Sequence, residues 1–337
     1  MASKYYTCEK ILSYNRIFNF VIGNRSAGKS YTFKRKCIKN FINKGEKFIY
    51  VRRYQIDIDN TAPVYFDDMY QEFPDYTFAY KKGEFYINGE VAGYAIAVSM
   101  FLKCKSVAYP DVTMIVFDEF INEARDYIGG KDNPYLEPEL CLNFYQSVAR
   151  GYNCPIRENV KFVFISNSVS IVNPYFVYFN IDKYLKDDTK FIKTDSWVLE
   201  QVKQEEIQEE IKKSQFGKLI ANTKYGSYAI DNKYYLDSEE FIDEAPKNSW
   251  YMCTVVYDNK EYALYKDRPN NIYYMNEKVD KFCKLIYSLD SASHGTSTRL
   301  VNRSSDFFKN LRACFENGQV RFANQRCKNA LMIFLNY

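Results

Sequence analysis

Ile17-Phe18-Asn19-Phe20-Val21-Ile22-Gly23-Asn24-Arg25-Ser26-Ala27-Gly28-Lys29-Ser30 joins a short apolar run to a loop bracketed by two glycines and closed by a lysine and a serine. The apolar run reads as a buried strand. Residues 30–43 carry helical spacing and stop near Gly45. A strand, then GxxxxGK[ST], then a helix is the context in which that motif is a P-loop. Its glycines let the backbone curl round phosphate oxygens, and its exposed N–H groups and the helix N-terminus favour an anion. Gly23, Asn24, Arg25, Ser26, Ala27, Gly28, Lys29 and Ser30 are thus the expected nucleotide cradle. Lys29 would reach the β- and γ-phosphates of ATP, and the Ser30 hydroxyl would bind Mg²⁺. A plain glycine turn is the competing reading, and the flanking strand and helix count against it.

Working outward, residues 47–51, 113–117 and 161–165 are further apolar strands. With intervening helices, such as the one expected over 137–150, they predict an α/β domain on a mostly parallel sheet. Residues 78–98 contain Lys82-Gly83 and Asn88-Gly89, which suit a three-stranded antiparallel insert. Asp118-Glu119 ends the 113–117 strand. A carboxylate there is what a P-loop needs to hold Mg²⁺, so Asp118 is the metal candidate and Glu119 the general base. Asn167, after the 162–165 strand, is placed either to hold the attacking water or to sense the γ-phosphate, or else simply caps a turn. Arg150 and Arg157 precede that strand. Either could be an arginine finger for a neighbouring subunit or an ordinary surface arginine. Arg25 could act from within the loop. Arg52 and Arg53 read as surface groups, or as contacts to DNA phosphates or a neighbouring subunit.

The pattern changes beyond residue 195. Residues 200–213 are rich in Glu, Gln and Lys and read as a solvated helix. Residues 225–235 are loop-rich. A hairpin is expected about Asp258-Asn259-Lys260, with a third strand over 271–274 and helices over 278–287 and 305–315. The expected division is a P-loop domain over 1–195, a helical linker over 196–243 and a smaller α+β domain over 244–337. From 299 to 337 seven basic side chains, among them Arg299, Arg303 and Arg326, face only Asp306 and Glu316. That net +5 exceeds the +4 of all 337 residues, and would suit phosphates of nucleic acid or a solvated helix face.

The bulk composition mainly excludes. No apolar run is long enough for a membrane span, and the N-terminus lacks a signal peptide. Nine scattered cysteines and one histidine make a zinc site a poor reading and reduced thiols in a cytoplasm a good one. The 32 Tyr and 26 Phe fit the codon bias of an AT-rich genome better than a general stacking role.

Four stretches in order carry a resemblance: 12–23, ending in the P-loop strand; Phe48-Ile49-Tyr50-Val51-Arg52-Arg53-Tyr54; Ile115-Val116-Phe117-Asp118-Glu119-Phe120; and 166–176, opening Ser166-Asn167-Ser168. Together they resemble the DNA-packaging ATPases of phi-29-type podoviruses, densely to about residue 180 and more thinly at 216–220 and 320–325. The resemblance implies an ASCE-type P-loop ATPase related to terminase large subunits. It would be a homo-oligomeric ring, a pentamer, that drives double-stranded DNA through the portal of an empty prohead in the host cytoplasm. A packaging RNA enters as a candidate partner. Lys29, Ser30, Asp118 and Glu119 carry over directly, and Arg150 is the best match to the family's trans-acting arginine, with Arg157 open because the loop is longer. Terminases end in an RNase H-like nuclease. Here residues 250–257 hold no acid and Asp258 falls in the expected turn, so a vestigial nuclease fold that binds nucleic acid or the portal is expected. A replicative helicase and a portal-binding protein with an inert nucleotide site are the alternatives. A helicase should add a second motor domain, and an inert site should lack Lys29 or Glu119.

Overall fold

Gly23 can end a buried strand against another strand only because it has no side chain: a Cβ there would lie 2.3 Å from the carbonyl oxygen of Val202. That close approach sits near one edge of a nine-stranded sheet. In the computed structural model, residues 5–104, 107–122, 126–130, 133, 135–151, 155–168, 170, 172–185, 189–223, 226, 241–257 and 260–335 are described. The chain divides into two compact units, 1–236 and 237–337. Among the described residues no helix is long and apolar enough to cross a membrane.

The first unit runs α1 (Glu9–Ser13), β1 (Phe18–Gly23), α2 (Lys29–Lys44), β2 (Lys47–Arg52), α3 (Gln55–Thr61), β3 (Phe78–Lys81), β4 (Glu84–Ile87), β5 (Glu90–Ala97), β6 (Val112–Asp118), α4 (Leu136–Ala149), β7 (Lys161–Asn167), α5 (Pro174–Tyr178), β8 (Phe191–Lys193), β9 (Trp197–Val202), α6 (Glu205–Lys213) and α7 (Gln215–Ile220). The strand order is β3-β4-β5-β2-β6-β7-β1-β9-β8. The six strands from β5 to β9 are parallel, and β7 lies between β1 and β6. That intervening strand marks the ASCE arrangement. Strands buried on both faces need two cores. One gathers Phe20, Phe162 and Phe164 with α4 and α5, the stacked rings of Phe162 and Phe164 standing 4.3 Å apart. The other gathers Val21, Phe33, Phe48 and Ile165 with α2.

The three antiparallel strands expected over 78–98 form as β3 to β5, and β5 also pairs in parallel with β2 and widens the main sheet. Other expectations change. The linker expected from 196 begins instead with β9, which pairs with β1, so the first domain runs past residue 195. The helix expected from 200 starts at Glu205. Glu200 and Gln201 look solvent-facing by residue type, yet both are buried in β9, where Glu200 accepts a 2.8 Å hydrogen bond from the Tyr6 hydroxyl.

The second unit runs β10 (Trp250–Tyr257), β11 (Lys260–Asp267), β12 (Ile272–Asn276), β13 (Ile286–Ser288), β14 (Thr298–Leu300), α8 (Asp306–Glu316), β15 (Val320–Phe322) and α9 (Gln325–Leu335). Its order is β14-β13-β10-β11-β12-β15. β10, β11 and β12 are antiparallel, while β13 pairs in parallel with β10 and β14 with β13. This is the strand order of an RNase H-like sheet with β15 added beside β12. The helix expected over 278–287 is absent. The segment turns at Lys281 and Phe282 and feeds β13, because the apolar Ile286 and Tyr287 are taken up as strand partners of Thr254 and Val255. α9 went unread in the sequence. The hairpin residues Asp258 and Asn259, and most of 225–235, lie outside the described residues.

Candidate nucleotide-hydrolysis site

In open parallel sheets, ligands sit beyond the carboxyl ends of the strands. Three such ends meet here. β1 runs into the P-loop, β6 ends at Asp118 and β7 at Asn167, with Gly23 level with Asn167 and Asp118 with Ile165. A cavity of about 350 Å³ opens between them, lined by residues 25–31, Asp118, Glu119 and 165–167. Gly28 opens α2 with φ +86°, in the left-handed region that glycine enters without strain. The N-terminal segment braces the loop from outside: Tyr6 N donates to Ala27 O at 3.0 Å and Cys8 N to Thr32 Oγ1 at 3.2 Å.

The Lys29 side chain is buried. Its ammonium donates to Gly23 O at 3.0 Å and to Asn24 O, and lies 3.4 Å from Asn167 Oδ1. Burial lowers its pKa to about 8, and nearby Arg25 adds to the fall while Asp118 opposes it. Ser30 Oγ donates to Asp118 Oδ1 at 3.0 Å. Burial pushes the Asp118 carboxyl up; Arg52 pulls it down, and the neighbouring Glu119 pushes it up again. Two hard oxygen donors already side by side fit the few protein ligands that Mg²⁺ takes in a nucleotide site.

Glu119 has φ +61°, unusual for a residue with a Cβ. Its N–H donates to Ile165 O at 2.8 Å. Its carboxylate is 59% exposed and accepts from Arg52 Nη2 at 2.6 Å. Arg52 is therefore no free surface arginine. Beyond Glu119 lies a second cavity of about 450 Å³, lined by Arg25, Arg52, Tyr54, Asp57, Asn122, Asp126 and Asn167 among others. Arg53 also departs from the surface reading: it is 5% exposed and its guanidinium meets Glu137. The sequence held no signal for either partner, since 67 and 84 residues separate them.

The family model for the podovirus DNA encapsidation protein (Gp16) matches residues 1–336. The chain belongs to that family. The DNA packaging protein of Bacillus phage phi29 is 37% identical over 332 residues, 97% of this chain and 96% of the relative. Among solved structures, the bacteriophage phi-29 viral genome packaging motor assembly is similar with a TM-score of 0.78 and 34% identity, covering 99% of both chains. The N-terminal domain of the DNA packaging ATPase from bacteriophage phi29 is similar at 43% identity and a TM-score of 0.52, covering 60% of this chain and 98% of that one.

As a member of the encapsidation family the chain has one further expected site residue, Arg150, and the structure sets it apart from the rest. It caps the C-terminus of α4, exposed, just before the chain turns into the start of β7. The P-loop is at the other end of that sheet, about 20 Å away at roughly 3.3 Å per strand residue. Arg157 faces a different task. Its guanidinium donates to Pro110 O, Tyr109 O and Val148 O at 2.6, 2.9 and 2.7 Å, tying its loop to the end of α4 and to the turn before β6.

In the second unit the basic tail is largely engaged at home. Arg303 donates to Phe334 O at 2.8 Å, Arg321 to Gly318 O at 2.7 Å, and the buried Arg326 pairs with Glu277 at 3.6 Å. Arg299 and Lys309 remain exposed. So do Trp250, with Arg268 stacked 3.6 Å above its ring, and Phe282, 91% exposed between Lys281 and Lys284. Along β10 the buried positions are Cys253, Thr254 and Val255, and among the described residues no three His, Cys, Asp or Glu side chains gather as metal ligands.

Proposed function

We propose that this chain is the ATP-hydrolysing motor that moves double-stranded viral DNA into a preformed prohead. The observation that carries the reading is the meeting of the P-loop, Ser30–Asp118, Glu119 and Asn167 at three adjacent strand ends, in a chain of the encapsidation family. The P-loop N–H groups and Lys29 hold the β- and γ-phosphates of ATP. Ser30 and Asp118 hold Mg²⁺, which when bound neutralises charge on the phosphate oxygens. Glu119 takes the proton of the attacking water as its oxygen bonds to the γ-phosphorus, and the bond to the bridging oxygen breaks with its electron pair leaving on ADP. Asn167 orients that water or reads the γ-phosphate. Arg52 occupies one oxygen of the Glu119 carboxylate, so that carboxylate must turn from Arg52 to meet the water.

Arg150 serves a neighbouring subunit, because the length of the sheet keeps it from its own P-loop. The active site is then complete only in a ring, a homopentamer by family resemblance, seated on the portal vertex of the prohead in the host cytoplasm, with a packaging RNA as a candidate further partner. The second unit binds nucleic acid or the portal without cutting, through exposed aromatics with basic neighbours. A replicative helicase is the lesser reading, since the relatives are packaging proteins. The test is ATP-dependent DNA uptake by purified proheads, scored by nuclease protection. Uptake should need this chain and vanish with Lys29→Ala, which loses nucleotide binding. Uptake undiminished by Lys29→Ala would sink the proposal.

A further inference from the structure

Two consecutive arginines, one ending β2 and the next just past it, do different things to the same residue. Arg52 meets the carboxylate of Glu119. Arg53 meets its backbone: Nη1 donates to Glu119 O at 3.4 Å and Nη2 to Phe120 O at 2.6 Å. Nε lies 3.0 Å from both carboxylate oxygens of Glu137, near the start of α4, and Nη2 lies 3.0 Å from Oε1 of the same carboxylate. Glu137 is wholly buried, and its other lone pairs accept from the Tyr175 hydroxyl at 2.7 Å and from Ile128 N at 2.8 Å. The guanidinium also lies over the Tyr127 ring, 4.9 Å from its centre. Burial works against its charge, and Glu137 reverses the effect and raises its pKa.

A buried ion pair is poor value as a source of stability, because desolvation offsets much of the attraction. A network satisfied on every side is good at holding a position. What this one holds is a peptide in an unfavourable conformation, Glu119 at φ +61°. Such a residue persists only where its surroundings over-determine it. Ile165 O fixes the amide before it, and Arg53 fixes the carbonyls after it.

We infer that Arg53 and Glu137 form a positioning pair for the reaction. Arg53 holds the backbone of Glu119 in its left-handed turn, and Glu137 holds Arg53, so that the carboxylate can leave Arg52 and still point into the phosphate cavity. The inference rests on Glu119 as the base. Neither side chain touches ATP, so both act through Glu119.

The test measures ATP turnover of the full chain on proheads with DNA, affinity for a fluorescent ATP analogue, and thermal stability, for four variants. Glu119→Gln is the control: if it turns over normally, the reading of Glu119 fails independently of the pair. Arg53→Lys keeps the charge beside Glu137 but cannot span the carboxylate and two carbonyls. It should lose turnover by about 10²-fold, the scale of a 1 Å misplacement, with analogue affinity within about twofold of the parent. Glu137→Gln keeps the shape but removes the charge and one of the two acceptor oxygens facing Arg53, and should behave alike. The double variant Arg53→Met/Glu137→Met removes both buried charges. It should be about as stable as the parent and still turn over slowly, because the Glu119 and Phe120 carbonyls are no longer held. Parental turnover in Arg53→Lys, or turnover returning with stability in the double variant, would overturn the inference and leave the pair a packing element.

Discussion

The two units each present a sheet backed by helices, yet only one concentrates chemistry. In the first, β1, β6 and β7 are parallel neighbours whose carboxyl ends stop level with one another. Each end contributes what a side chain inside the strand could not: a glycine loop, a pair of carboxylates, an amide. In the second, β10, β11 and β12 run antiparallel, so consecutive strand ends point to opposite edges. Its parallel neighbours are β12-β15 and β14-β13-β10, and in the latter β10 has buried positions that are apolar or hydroxyl. An α/β sheet gathers a candidate site where several parallel strands finish together with polar residues at their ends, and strand order alone does not supply those residues.

Arg150→Ala should strike the comparison hardest, because it lies in the catalytic unit but away from that unit's own site. The expected loss of turnover is about 10³–10⁵-fold. Mixing it with Glu119→Gln should restore part of the activity, since some interfaces in a mixed ring pair an intact Glu119 with an intact Arg150. No recovery in mixed rings, or normal turnover by Arg150→Ala alone, would move the finger elsewhere.

Glu119→Gln comes next, at about 10²–10⁴-fold in turnover with nucleotide affinity retained. Rapid-quench measurement of a single turnover separates this from a binding defect. A parallel loss of affinity would mean that Glu119 holds ligand rather than activating water.

A milder effect is expected from pH. The Lys29 ammonium has its pKa lowered to about 8 by burial, and phosphates would raise it on binding. Binding of ATP must therefore take up a proton from the buffer once the free protein has lost it. Affinity should be flat below about pH 8 and fall above it, by about tenfold between pH 7 and pH 9. Calorimetry in buffers of different ionisation enthalpy would detect the proton uptake. Uniform affinity to pH 9 would place the lysine's pKa well above 8.

The smallest expected effect belongs to the second unit. Full-length chain incubated with supercoiled plasmid and Mn²⁺ should leave it intact, and Asp290→Asn, just after β13, should leave ATP turnover unchanged. Nicking that disappears with Asp290→Asn would give this unit the chemistry that the comparison denies it.

The residues that line the P-loop cavity were legible because each lies in a short run that obeys strong local rules, although 88 residues separate Ser30 from Asp118 and 138 separate Lys29 from Asn167. The P-loop is a contiguous run, and an acidic pair ending an apolar strand needs only that strand to be recognised. Asn167 was legible for the same reason. What could not be read came from pairing at long range. Glu200 and Gln201 look like solvated residues until β9 is set beside β1. Ile286 and Tyr287 have helical spacing until β10 takes them as partners. Arg157 and Arg150 are alike as letters, and only the fold gives one three carbonyls and leaves the other exposed.

By itself, the sequence determined the apolar strands β1, β2, β6 and β7, the loop that can wrap a phosphate and the carboxylates that can serve it, because these depend on backbone freedom and side-chain chemistry within a few residues. Tertiary structure alone decided that Arg52 meets the carboxylate of Glu119 while Arg53 holds its backbone through Glu137, and that Arg150 stands a full sheet length from its own site. Those outcomes depend on strand order and on which buried charges find partners. Both are settled only when the whole sheet assembles and desolvation forces every buried polar group to be matched.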